Sequence, residues 1–141
     1  MSVTDIAAIV GMVTGILGAV LGSLGFLHNR FLAVHQFLSG LHTDGAIKAR
    51  KHIYETEVAD ISIGDEDASK IVNFYHQWGL MAKHKYLPLW VFNDGNRNGA
   101  IRLYEKLTCY IKDMRKLHND ETYAAGFEWL YGTLLTRKKG K

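Results

Sequence analysis

IAAIVGMVTGILGAVLGSLGFL, residues Ile6 to Leu27, is the stretch on which the fold turns. No charged residue falls between Asp5 and Arg30, and only Thr14 and Ser23 carry hydroxyls. At helical rise the 22 residues extend roughly 33 Å, enough to cross a hydrocarbon core. A helix buried in a soluble bundle normally keeps a polar stripe, and this segment has none. The competing reading is a cleaved signal peptide. It is disfavoured by the leader MSVTD, which carries Asp5 and no Lys or Arg, and by the length of the apolar run. Ser23-Leu24-Gly25 is only a weak small-x-small cleavage pattern. The segment is therefore read as an uncleaved anchor.

Working outward, the remaining charges crowd into Arg30 to Lys141 of a 141-residue chain. That length allows one domain beside an anchor and excludes a multi-domain enzyme. Mean hydropathy near zero is an average over two unlike parts. A net charge of +3 is short of a nucleic-acid-binding composition. Flanking cations set orientation. None precedes the segment, and Arg30, Lys48, Arg50 and Lys51 follow it. The expectation is an N-terminus outside the cell membrane and a cytoplasmic body. Cys109 is the only cysteine, so no intramolecular disulfide forms, and its apolar neighbours predict a small core residue.

Two faces are legible within the anchor. Gly11, Gly15, Gly18, Gly22 and Gly25 recur at spacings of 4 and 3, with Ala8 extending the row. Such a row lets a second helix backbone approach closely, so it predicts helix–helix association in the membrane. The bland alternative is that glycine is common in membrane helices. Nearly opposite lies a large apolar row: Val13, Leu17, Val20, Leu24, Leu27, Phe31, Val34, Leu38 and Leu41. It runs past Arg30 among polar neighbours, which predicts one helix continuing to about Leu41 with this row buried outside the lipid. His28, His35 and His42 stand two turns apart, about 10 Å, too far to share a metal. They are read as a solvated or interfacial stripe.

The body reads as a series of amphipathic helices. Thr43-Asp44-Gly45 offers a cap, and a second helix runs from about Asp44 to Glu57 on Ile47, Ile53 and Tyr54. After a loop from Ala59 to Gly64, Asp65-Glu66-Asp67 opens a third helix. Those carboxylates suit the positive helix end, and the spacing is not that of a metal loop. Ala68, Ile71, Val72, Tyr75, Trp78, Gly79 and Ala82 form its core stripe. A short helix from Pro88 to about Asn93 follows. Asn93 to Gly99 reads as a polar loop, and without a Gly-Lys-Ser/Thr it is no phosphate loop. The next helix, about Gly99 to His118, buries Ile101, Tyr104, Leu107, Ile111 and Met114. The last begins at Asn119 or Asp120 and buries Tyr123, Phe127, Leu130, Tyr131 and Leu134. Arg115 and Glu128 are placed to form a structural ion pair across this hairpin. The basic tail Arg137, Lys138, Lys139 and Lys141 is expected at an anionic lipid surface, or else solvated.

No zinc, nucleophile-elbow, dinucleotide or kinase motif occurs. No catalytic residue, metal ligand or cofactor is assigned, and the chain is not read as an enzyme.

Several motifs together carry a family resemblance. They are Asn73 to Leu80 (NFYHQWGL), Leu87 to Phe92 (LPLWVF), Ile111 to Arg115 (IKDMR) and Gly126 to Leu130 (GFEWL). With the N-terminal apolar helix they resemble a bacterial and phage family of small, N-terminally membrane-anchored helical proteins of unknown function. The likeness covers about residues 5 to 135. It rests on hydrophobic-pattern motifs and implies architecture, with no activity to transfer.

The expectation is thus all-α: an N-terminal transmembrane helix with juxtamembrane extension (residues 1–42), continuing into a small cytoplasmic helical bundle with a basic tail (43–141). The expected role is binding or scaffolding, with the membrane and a second copy or another membrane protein as partners. No specific nucleic acid is expected. A pore-forming or membrane-disrupting effector, holin-like or a phage-defence component, is the second reading, and a small enzyme with an unrecognised site the third.

Overall fold

The computed structural model describes residues 2–138 and contains five α-helices, with no strand among the described residues. The first, α1, is one unbroken helix from Val3 to Leu41. A capping box starts it: the Ser2 hydroxyl accepts from Asp5 N–H, and Asp5 Oδ2 accepts from Ser2 N–H at 2.8 Å. That pairing satisfies two N–H groups that no helical carbonyl reaches.

Thr43 caps α2, Asp44–Glu55, its hydroxyl accepting from Ala46 N–H. The helix stops two residues earlier than its sequence suggests. It buries Ala49 and Ile53, while Ile47 and Tyr54 remain exposed. A 3-10 turn at Val58–Asp60 leads to α3, Glu66–Lys83. Asp65 caps it with one carboxylate oxygen shared by the N–H groups of Asp67 and Ala68, both at 2.9 Å.

Beyond α3 the chain reverses and makes a 3-10 turn at Leu89–Phe92. Asn93 to Gly99 is not a loop. Asn93 is the cap residue of α4, Asp94–His118, and the glycines and asparagines lie in its first two turns. Two side-chain bonds offset their poor propensity, one local and one tertiary: Asn96 Nδ2 donates to Val91 O, and Arg97 Nη2 to Leu134 O at 2.9 Å. Asn119 ends α4 in the left-handed conformation, as a helix-terminating Asn does. Residues 120–124 then form a turn, held by Asp120 accepting from Thr122, so α5 begins at Ala125 and runs to Lys138.

α3 lies at the centre. Ala68, Ile71, Val72, Tyr75, Gly79 and Ala82 are buried against the other helices. One aromatic cluster joins α1 to the body: Phe37 is fully buried and packs on Phe74, Trp78 and Phe92, the last at 4.8 Å between ring centres. A second joins α3, α4 and α5 through Tyr75 stacked on Phe127, and Tyr104 against Phe127 and Tyr131. Where α3 meets α5 their backbones nearly touch at Gly79 and Gly126. A Cβ on Gly79 would stand 2.0 Å from the Gly126 carbonyl oxygen. Only two glycines permit that approach.

Candidate functional site

The five glycines of the α1 row share one face of a helix with no neighbour. A Cβ added at Gly11, Gly15, Gly18, Gly22 or Gly25 would meet nothing within 4 Å. The large residues elsewhere on the segment are open too, Ile9, Val13, Leu17, Leu21 and Leu24 among them. α1 is long and apolar enough to cross a membrane by length and composition, and its most apolar window is wholly unburied within the chain. Both hydroxyls in the segment are internally spent. Thr14 donates to Val10 O at 2.8 Å, and Ser23 to Ala19 O at 2.8 Å. Both hydroxyl protons are thus satisfied within the helix, which suits an apolar surrounding.

Past Arg30 the helix changes character. Ala33, Phe37 and Leu41 are buried, with Val34 and Leu38 packed beside them. The buried side is thus rotated from the predicted row. Phe31, expected inside, is 69% exposed, and Phe37, outside that row, is the centre of the contact. α1 is covered by the aromatic side chains of α3 and the 3-10 turn, which select the side on which Phe37 lies. Arg30 sits 5.7 Å over the Phe26 ring. His28, His35 and His42 are all exposed.

The remaining sequence-derived residues divide clearly. Arg115 Nη2 donates to Glu128 Oε2 at 2.7 Å, and Arg115 Nε to Tyr123 O at 3.0 Å. The Glu128 hydrogen bond holds the Arg115 guanidinium above its ordinary pKa. With Glu128 half exposed the pair fastens the α4–α5 hairpin without being a buried charge centre. Of the tail, Arg137 is exposed at the end of α5 and Lys138 is the last described residue, while Lys139 and Lys141 lie outside the described residues. Cys109 is exposed, not a core residue. It stands two residues from buried Leu107, about 200° around the helix, so an apolar local sequence did not place it inside.

Polar chemistry is sparse. No group of three or more His, Cys, Asp or Glu side chains is brought together among the described residues. Glu128 borders a shallow depression with Trp129, Gly132 and Thr136. His76 Nδ1 is occupied, accepting from Gly126 N–H at 3.1 Å. A groove between α1, α2 and α3 is floored by Ile71, Phe74 and Tyr75, with Arg50 and Lys70 at its rim. Burial pushes the Tyr75 hydroxyl up to about 12, with Arg50 acting in the opposite sense. Arg50 is itself committed to the carbonyls of Leu41 and Ala46. Asp65, the cap of α3, is a perturbed carboxylate. Partial burial raises its pKa, but the Ala68 N–H, His52 at 3.1 Å and the Asp67 N–H together hold it below the usual value.

Sequence reasoning missed the Gly79–Gly126 crossing and its His76 bond, because Gly126 lies within an apolar motif that reads as packing alone. Neither a family model, nor a curated protein, nor a solved structure matches this chain.

Proposed function

We propose that this chain is a single-pass membrane protein whose α1 anchors a cytoplasmic helical body, with its N-terminus outside, acting by binding or scaffolding rather than catalysis. The observation that carries the reading is the contrast along α1: one helix, apolar and uncovered over residues 6–27, then packed on the body from Ala33 onward. An amphipathic core helix would be covered along its length, whereas residues 6–27 meet no part of the body. Self-association through Gly11, Gly15, Gly18, Gly22 and Gly25 belongs to the same proposal, supported by the open space along that face. Kinship with the bacterial and phage family of anchored helical proteins also belongs to it, resting on the motifs quoted above.

The pore-forming reading gains no support, because a water-filled lumen needs a polar helix face and both hydroxyls of the segment bond to their own backbone. Alkaline extraction of membranes from expressing cells tests the anchor. The full chain is expected to stay with the membrane pellet, and release into the supernatant would overturn the reading. Protease protection in sealed vesicles then reads the orientation.

A further inference from the structure

Charge is distributed unevenly along α3 and its flanks. Six carboxylates fall between Glu55 and Asp67, and none between Ala68 and Asn93. α1 likewise has none between Asp5 and Asp44. The two helices run in opposite senses. Gly40 of α1 faces Phe74, Phe37 reaches Phe74 and Trp78, and Gln36 shares a groove with Trp78, Met81, His84 and Tyr86. Moving along α1 toward the apolar segment is therefore moving along α3 toward its C-terminus. The acidic start of α3 points away from the apolar segment, and its basic end points toward it.

That end is a built turn. His84 N–H donates to Leu80 O, Lys85 N–H to Ala82 O, and both Tyr86 and Leu87 N–H to Met81 O. Lys85 adopts the left-handed conformation, φ 66°, which reverses the chain and costs a residue with a Cβ some strain. Lys83, His84, Lys85 and Tyr86 are all exposed on this turn, and Trp90 is 58% exposed on the following 3-10 turn. Lysines beside an exposed Tyr and Trp have the composition of a membrane–water interface. The position fits as well. Gln36 lies nine residues beyond Leu27, about 14 Å along the helix. The headgroup zone takes up roughly 5–7 Å of that. What remains is within about one Debye length, and a lysine stem spans most of it.

We propose that the turn Lys83–Tyr86, with Trp90, is a docking surface for the anionic headgroups of the bilayer that α1 enters. It rests on the anchor reading and adds that the body lies down on the membrane instead of standing free of it. The proposed contact surface is thus the α3 turn, carboxylate-free in sequence.

The test uses the full chain in nanodiscs that carry a headgroup nitroxide lipid, either in phosphatidylcholine alone or mixed with phosphatidylserine. Tryptophan emission is expected to be quenched in the anionic discs and much less in the neutral ones. Trp90→Phe should remove that quenching, and Trp129→Phe should retain it. Lys83→Gln and Lys85→Gln should each lower the docked-to-undocked ratio roughly fivefold, as loss of one near-surface charge implies, with the far-ultraviolet dichroism of the wild type. Quenching that survives Trp90→Phe, that is equal in neutral discs, or that ignores both lysines would overturn the proposal. A chain that fails to co-purify with discs would overturn the anchor reading first, a distinct result.

Discussion

Two sets of glycines serve opposite ends of this molecule. The five in α1 form the more conspicuous pattern, yet each faces open space. Gly79 and Gly126 form no pattern in sequence, since they stand on different helices, yet a Cβ on either would meet partner-helix backbone at 2.0 or 2.2 Å. Periodic small residues leave a bare helix face here, whereas an approach already made inside the fold is specified by two isolated positions. Neither set can be valued by counting glycines.

Substitution separates the two sets. Gly79→Ala is expected to have the largest effect, a loss of about 3 kcal/mol, the upper end for forced overpacking, because the obstacle is backbone and cannot swing aside. Thermal unfolding of the detergent-solubilised chain, followed by near-ultraviolet dichroism, reads this. Gly15→Ala should leave that transition in place, and an equal loss at both would erase the distinction. Next in size is His76→Ala, which leaves the Gly126 N–H without its acceptor and should cost about 1–2 kcal/mol in the same assay. An unchanged melt would show that the crossing is held by contact alone.

The cap of α3 gives a smaller effect. Asp65→Ala removes the cap and should cost about 1 kcal/mol at neutral pH. The folded pKa of Asp65 lies below its ordinary value of 3.8. Its contribution is therefore complete above that value and is lost as pH falls through the folded pKa. The gap in melting temperature between wild type and variant should close in that acid range, and a gap independent of pH would contradict the ionised cap. Smallest in effect on the fold is Gly15→Ile with Gly18→Ile. The body's melt should not move, while a membrane dimerisation reporter should lose its signal. An undiminished signal would remove the glycine row as an association face.

Much of the architecture was readable because composition constrains it. An uncharged run of this length has few fates, and the 3-4 spacing in α3 predicted Ala68, Ile71, Val72, Tyr75, Gly79 and Ala82 inside, where they are. Reading failed where partners decide. The row through Phe31 is as apolar as the true contact side through Phe37, and only the position of Phe74, Trp78 and Phe92 breaks the tie. Asn93 to Gly99 carries every local sign of a turn, yet Asn96 bonds back to the preceding 3-10 turn and Arg97 to the distant Leu134 carbonyl, and the stretch is helix. Asn119 and Ala124 adopt left-handed conformations, and they delay α5 by several residues beyond its expected start. After α3 the sequence offers only the basic run Lys83-His84-Lys85, with nothing that writes out the turn they build. Its direction relative to α1 is a property of the assembled fold.

The unbroken course of α1 has a mechanical consequence. No hinge interrupts the helix between Val3 and Leu41, and Phe37 ties its far end into the core. On the anchored reading, a bilayer that thins by a few ångströms makes the span tilt further, within the roughly 0–40° that such helices adopt. A jointed protein would absorb that tilt at its linker. Here the body must swing through the same angle, so lipid thickness becomes a lever on how the domain is presented beside the bilayer.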